Sequence, residues 1–111
     1  MEAFLAASRG GDFGALLALL DPEVVLRDDG AALRNGAPRE VRGAAAVAET
    51  FAGRARAAQP AVVNGAVGLW APGAKPRIVF GFAISRGKIV AIRMIAEPDR
   101  LGRLRLTILN P

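Results

Sequence analysis

Ten carboxylates are the groups of this 111-residue sequence best suited to proton transfer, because histidine, cysteine and tyrosine are all absent. Those three residue types supply much of the general acid–base and nucleophilic catalysis near neutral pH. The acids are Glu2, Asp12, Asp21, Glu23, Asp28, Asp29, Glu40, Glu49, Glu97 and Asp99. None lies between Phe51 and Ala96, so the longest strand-like runs contain no carboxylate.

Two of these positions could serve a catalyst, namely the adjacent pair Asp28–Asp29 and the single residue Glu49. The pair precedes Gly30, and such a pattern is typical of a turn whose short side chains bond their own backbone. Glu49 lies in an alanine-rich run and is typical of a solvated helix face. No group of residues has metal-ligand spacing. We therefore predict no catalytic residue, no metal site and no cofactor.

The N-terminal half predicts helices and short strands. Residues 2–20 read as two short helices broken at "RGGD", with Asp12 as the N-cap of the second. Pro22 is expected to stop that helix, and Val24 to Leu26 to form a strand. "REVRG" predicts a further short strand or the approach to the next helix. Gly43 to Ala58 predicts the longest helix, with Val47 and Phe51 on one face.

Three long strands are expected in the second half, starting at Ala61, Lys75 and Gly87 and forming an antiparallel meander. Helices followed by strands favour an α+β fold, with helices on one face of a curved antiparallel sheet. Residues 78–84 are apolar on both faces, so the second face needs cover as well. We expect a second copy of the domain, or a different protein, to provide it.

A ligand pocket without catalysis is a further possibility, because several side chains give apolar surface with few polar groups. These candidates could equally be plain core, with Asn64 as the exception, since a polar amide in a buried strand needs partners. Trp70 could instead anchor a protein contact. The candidate pocket residues are Asn64, Trp70, Phe80, Phe82 and Met94.

The net charge of +5 does not indicate nucleic-acid binding, because the arginines are scattered and form no stripe interleaved with aromatic residues. The sequence has no apolar tract long enough to span a membrane, and its N-terminus lacks the basic start of a signal peptide. Without cysteine there is no disulfide framework. We therefore expect a cytoplasmic domain.

Several segments, in order, resemble the SnoaL-like domain found at the C-terminus of certain extracytoplasmic-function sigma factors. They are "FLAASRGGDFGALLALLDPEVVLRDDG", "VRGAAAVAETF", "PAVVNGAVGLW" and "GKIVAIRMIAEPDRLGRL". The resemblance implies one domain over residues 1–111, with 102–111 as a C-terminal tail. It also implies a cystatin-like, nuclear transport factor 2-like cone.

Two signatures of that family can be compared with this sequence. The Asp-Gly-Gly-Gly-Lys turn is kept only at Asp29-Gly30. The Asn-Pro-Asp-Lys-Leu segment is kept at three of its five positions, with arginine replacing lysine and glutamate replacing asparagine. Pro98 suits the first position of a helical turn, and acids beside it suit the positive end of that turn. The implied contact residues are Asp29, Gly30, Glu97, Pro98, Asp99, Arg100 and Leu101.

The resemblance implies a regulatory role through contacts with the sigma core domains and RNA polymerase. The alternative is a stand-alone SnoaL-like protein, either a small-molecule binder or a small cyclase, isomerase or hydrolase. Enzymes of this kind generally need a carboxylate inside the cavity, and the predicted cavity strands have none. We therefore expect that the chain is not an enzyme.

Overall fold

A computed structural model of the chain describes residues 2–28, 39–52, 59–71, 78–95 and 101–108. Within these residues the chain forms three helices and seven strands, which together make an α+β fold. No helix of this part of the chain is long and apolar enough to cross a membrane.

The first two helices confirm the expectation from the sequence. Helix α1 spans Glu2–Arg9, and helix α2 spans Phe13–Leu19 after the glycine break. Asp12 is the N-cap of α2, and its Oδ1 accepts a hydrogen bond from the backbone N–H of Ala15 at 3.0 Å. Helix α2 ends at Leu19, so Pro22 lies in the following strand and does not end the helix.

The third helix, α3, spans Ala44–Phe51 in the described residues. The expectation of a helix that continues to Ala58 was wrong, because α3 ends at Phe51 and its C-cap Ala52 has extended backbone. Residues 53–58 lie outside the described residues. Val47 and Phe51 are buried on one face of α3, as their spacing predicts.

Seven strands form one sheet in the order β2-β1-β6-β5-β4-β3-β7. Their bounds are β1 Leu20–Asp28, β2 Arg39–Arg42, β3 Gln59–Val63, β4 Ala66–Ala71, β5 Ile78–Ser85, β6 Lys88–Ile95 and β7 Leu106–Ile108. Strand β2 confirms the first of the two interpretations of "REVRG". Strand β7 forms within the segment expected to be a tail, and it pairs with β3.

The sheet is mixed, which corrects the expectation of a purely antiparallel one. Strands β1 and β6 are parallel neighbours, with Leu26 opposite Ile92 and Asp28 opposite Met94. Every other pair in the sheet is antiparallel within the described residues. The parallel pair joins strands more than 60 residues apart, and local sequence carries no signal for such a contact.

The stretch expected as one long strand from Ala61 is a hairpin of β3 and β4. Asn64 and Gly65 form its two-residue turn, with φ of 51° and 84°. A type I′ turn requires positive φ at both central residues, and Asn-Gly is the pair that accepts it most readily. The turn signal was therefore present in the sequence, and the interpretation as a continuous strand was wrong.

One face of the sheet, which we call the helix-covered face, packs against all three helices. Its centre is a chain of edge-to-face aromatic rings, in which Phe4 contacts Phe51 and Phe82, and Phe51 contacts Phe80, at centroid distances of 5.1–5.5 Å. Aliphatic side chains fill the surrounding space, including Leu16, Val24, Val47, Leu69 and Ile92.

The opposite face, which we call the open face, carries a smaller apolar cluster. Ala61, Val63 and Val79 are buried there, with Trp70 half-buried beside them. Leu101 and Leu104 pack against this cluster, so residues just before β7 cover part of the second face. The cover that the sequence led us to expect from another chain is thus supplied in part by the chain itself.

Candidate functional site

The space between helices and sheet offers no obvious catalytic group among the described residues. Ser8 is the one buried polar side chain in this part of the chain, and its hydroxyl donates to the backbone carbonyl of Phe51 at 2.6 Å. That hydrogen bond joins α1 to the end of α3, which gives Ser8 a structural role. The helix-covered face therefore serves as a packed core.

Of the acids expected as possible catalysts, the structure describes Asp28 and Glu49. Glu49 is exposed on α3, and Asp28 is half-buried at the end of β1. Asp29 lies outside the described residues. In the described ranges, no three acidic side chains come close enough to hold a metal ion.

The five residues proposed as a pocket are divided between different places. Phe80, Phe82 and Met94 belong to the core of the helix-covered face, whereas Trp70 packs on the open face. Asn64 is exposed in the β3–β4 turn, where its Oδ1 accepts from the N–H of Arg105 at 2.9 Å. The backbone N–H of Asn64 donates to the carbonyl of Arg105 at the same distance. These two hydrogen bonds connect Arg105, the residue before β7, to the β3–β4 hairpin.

Of the seven expected contact residues, the structure describes Leu101. Its side chain is half-buried against the open-face cluster. Asp29, Gly30, Glu97, Pro98, Asp99 and Arg100 lie outside the described residues.

A groove of about 390 Å³ lies on the open face beside the cluster that Leu101 and Leu104 cover. Small residues of β5 and β6 line it, and a Cβ built on Gly81 would meet no heavy atom within 4 Å. Opposite Gly81 in the register is Gly68, where a Cβ would clash with the carbonyl oxygen of Phe80 and lie 2.6 Å from the side chain of Val63. The residues that line the groove are Val25, Arg27, Val63, Asn64, Ala66, Gly81, Phe82, Ala83, Val90, Ala91, Ile92, Arg93 and Ile95.

Arginines dominate the charge at the β1–β6 side of this groove. The Nε atoms of Arg27 and Arg42 donate to the two carboxylate oxygens of Glu40, at 2.8 and 2.6 Å. The hydrogen bonds from Arg27 and then Arg42 lower the pKa of Glu40 below its ordinary value. Arg93 is opposite Arg27 in the parallel register, is exposed, and has no ion pair with any residue that the structure describes.

Sequence reasoning missed most of this groove. Arg93 lies within β6, and its position opposite Arg27 depends on the parallel pairing of β1 and β6. The usable signal was the two-residue alternation of β6, which places Ala91, Arg93 and Ile95 on the face opposite Ile92.

Solved structures of several proteins share this arrangement of helices and strands. The extracytoplasmic function sigma factor SigJ of Mycobacterium tuberculosis aligns with 90% of this chain at 28% identity and a TM-score of 0.72. The aligned region is 41% of that sigma factor. A putative polyketide cyclase of Sinorhizobium meliloti aligns with 83% of this chain and covers 89% of its own, at 22% identity and a TM-score of 0.58.

A protein of unknown function with a cystatin-like fold, from Methylobium petroleophilum, aligns with 98% of this chain and 82% of its own. Its sequence identity is 18% and the TM-score is 0.60. No family model and no curated protein matches the sequence. The chain therefore has the cystatin-like, nuclear transport factor 2-like fold, as its motifs led us to expect.

Proposed function

We propose that this chain is a regulatory domain of an extracytoplasmic-function sigma factor, acting through contacts with the sigma core domains and RNA polymerase. The observation that carries the proposal is the similarity to SigJ, whose TM-score of 0.72 exceeds the 0.58 found for the putative cyclase. This chain aligns with 41% of the length of SigJ. That a sigma factor carries this domain is therefore something we propose. Such a role would place the domain in the cytoplasm.

The contact surface that we propose is the segment from Glu97 to Leu101, together with the Asp29–Gly30 turn. The packing of Leu101 against the open-face cluster supports it, because this contact anchors the C-terminal end of the segment on the sheet. An anchored end lowers the entropy that a partner must remove when it binds. The acids Glu97 and Asp99 would then supply polar contacts beside that apolar anchor.

A catalytic role has less support, which is why we propose regulation by contact. The described interior is apolar, and Ser8 within it is already hydrogen-bonded to the backbone. A nuclear transport factor 2-like fold by itself favours neither an enzyme nor a binder, because function depends on the site. We expect no hydrolase, isomerase or cyclase turnover, and a robust rate abolished by Asp29→Asn would contradict the proposal.

Transcription from the cognate promoter by the sigma factor that carries this domain tests the contact. Asp99→Ala should change transcriptional output several-fold, because it removes a charged group from the proposed contact. The variant should leave the free energy of unfolding within about 1 kcal/mol of the parent. Glu23→Ala is the matched control, since Glu23 is an exposed acid on β1, outside the proposed contact. Equal output from both variants would contradict the contact hypothesis.

Dimerisation of the isolated domain stays a prediction from the sequence, and the positive charge on the uncovered part of the open face opposes it. The available surface is the part of the open face that residues 101–108 leave uncovered. A two-fold contact there would need Glu40 of one copy to approach Arg93 of the other, because arginines would otherwise face arginines. Sedimentation at micromolar concentration measures it, and a monomer at every concentration would contradict it.

A further inference from the structure

We propose that the groove on the open face binds a small organic carboxylate with an apolar body, held by Arg93 and Arg27. This site lies on the side of the sheet opposite the helices, outside the packed interior. The inference goes beyond the regulatory role and does not rest on it, since it concerns a different part of the surface.

The shape of the groove suits a small ligand. Its volume of about 390 Å³ lies in the range of small-molecule sites. Ala83 is opposite Ala91 on the neighbouring strand, and Gly81 lies two residues before Ala83 on the same face of β5. These three small residues leave the floor of the groove without bulky side chains. The open space above Gly81 contrasts with Gly68 across the same register, where Val63 and the carbonyl of Phe80 fill the position of a side chain. The groove is therefore a local depression in the surface of the sheet.

The positive charge of Arg27 and Arg93 in the groove favours an anionic ligand. Arg27 and Arg93 are neighbours on adjacent strands, and like charges placed opposite each other destabilise a sheet. Glu40 is shared between Arg27 and Arg42, so it balances one of three positive charges on this side. The guanidinium of Arg93 and the terminal nitrogens of Arg27 keep N–H donors that a carboxylate accepts in bidentate fashion. A bound carboxylate would thus relieve the repulsion between them.

The remaining lining explains why the anion should carry an apolar body. Val25, Ala66 and Ala83 contribute solvent-accessible apolar surface to the groove, and the buried side chains of Val63 and Ile95 lie beneath it. A small inorganic anion would contact the arginines and leave this surface in water, whereas an aliphatic or aromatic body would bury it. Asn64 adds one polar group at the hairpin end of the groove.

A second copy of the chain is the rival occupant of this surface. It would bring three arginines and one glutamate from each copy together, which is an unfavourable balance of charge. A small carboxylate brings a negative charge to these arginines, and we therefore favour it as the occupant. Dependence of ligand binding on protein concentration separates the two occupants.

Titration of the 111-residue chain with 4-phenylbutyrate, followed by backbone amide NMR shifts, tests the proposal. We expect saturable binding with a Kd on the order of 1 mM, with the largest shifts at Gly81, Ala91 and Arg93. The neutral amide 4-phenylbutyramide tests the charge, and acetate tests the apolar body. Each should bind about tenfold more weakly than 4-phenylbutyrate.

Three variants locate the site. A Cβ at position 81 meets no heavy atom within 4 Å, so we expect Gly81→Val to fill the floor of the groove and abolish binding while the domain stays folded. Arg93→Gln should weaken binding about tenfold, as expected for the loss of a charged hydrogen-bond donor. Arg86→Asn is the matched control, because it removes one positive charge from the β5–β6 turn, and it should bind like the parent. Asparagine accepts the positive φ of 52° at position 86.

The proposal is overturned by absence of saturable binding up to about 10 mM of 4-phenylbutyrate. It is equally overturned if folded Gly81→Val and Arg93→Gln bind like the parent, or if the shifts centre on the helix-covered face. Binding that weakens as protein concentration rises would show that a second copy occupies the groove, and would also overturn it. Thermal unfolding of Gly81→Val establishes that the variant is folded.

Discussion

The two faces of the sheet are built from alternate residues of the same strands, yet they differ in packing and charge. The helix-covered face joins Phe4, Phe51, Phe80 and Phe82 through edge-to-face ring contacts. The open face has small residues and arginines between its short apolar cluster and strand β1. Dense packing leaves little freedom for substitution, whereas a sparsely packed face can change without loss of the fold. This contrast is the reason that we place the proposed ligand groove on the open face.

A second contrast lies within the open face itself. At the β3–β7 side, Leu101 and Leu104 cover Val79 and Trp70 with residues of the same chain. At the β1–β6 side, Arg27 and Arg93 flank an uncovered groove. The same face therefore combines an anchor for the segment that follows β6 with a free surface beside it.

The largest loss of stability is expected from a substitution in the helix-covered face. Phe51→Ala removes a ring that contacts both Phe4 and Phe80 and leaves a cavity where little can collapse. We expect a loss of about 3–5 kcal/mol in the free energy of unfolding, measured with urea. Phe13→Ala is the matched control, because Phe13 is 40% exposed and its loss should reduce stability far less. Similar losses for the two variants would contradict the contrast between buried and exposed rings.

Gly68 and Gly81 are paired on neighbouring strands, and substitutions there compare a filled position with an open one. Gly68→Ala forces a methyl group against the carbonyl of Phe80 and the side chain of Val63, and should destabilise the domain by about 1–3 kcal/mol. Gly81→Ala meets open space and should leave stability unchanged or raise it by about 0.5–1 kcal/mol. Both are measured by denaturant unfolding. Equal effects at the two positions would show that the groove closes over Gly81 in solution.

The smallest expected effect concerns the connection between the β3–β4 turn and β7. Asn64→Ala removes the acceptor for the N–H of Arg105 and replaces a residue that tolerates positive φ, so a loss of about 1–2 kcal/mol is expected. Hydrogen exchange at the Arg105 amide should accelerate more than that of the β5–β6 amides. Arg86→Ala, at the other positive-φ turn, is the control and lacks the bond to β7. Equal exchange at Arg105 in parent and Asn64→Ala would contradict the connection.

The local elements were predictable because their signals are local. The glycine break, the cap at Asp12 and the spacing of Val47 and Phe51 all depend on residues within one or two turns. The Asn64-Gly65 turn was equally local, and it was missed because the apolar run on both sides was taken as one strand. The α+β class followed from the order of helices and strands along the chain.

The candidate site was less predictable, since it depends on pairings between distant strands. The five residues proposed as a pocket were chosen for their side-chain type, and the sheet places Phe80 and Trp70 on opposite faces. Arg27 and Arg93 come together because β1 and β6 are parallel neighbours, a contact between distant parts of the chain. Alternation within one strand tells which residues share a face, and it does not tell which strand lies beside it.

The class of the fold, the presence and order of its helices and the side-chain chemistry available to it follow from the sequence, because composition and local spacing are properties of the chain alone. The absence of histidine, cysteine and tyrosine leaves carboxylates, amines and guanidinium groups as the ionisable side chains of any site. Tertiary structure alone decided that Leu101 and Leu104 cover one part of the open face and that arginines face each other at another. The physical reason is that burial and charge pairing arise from contacts between distant residues, which exist only once the sheet has formed.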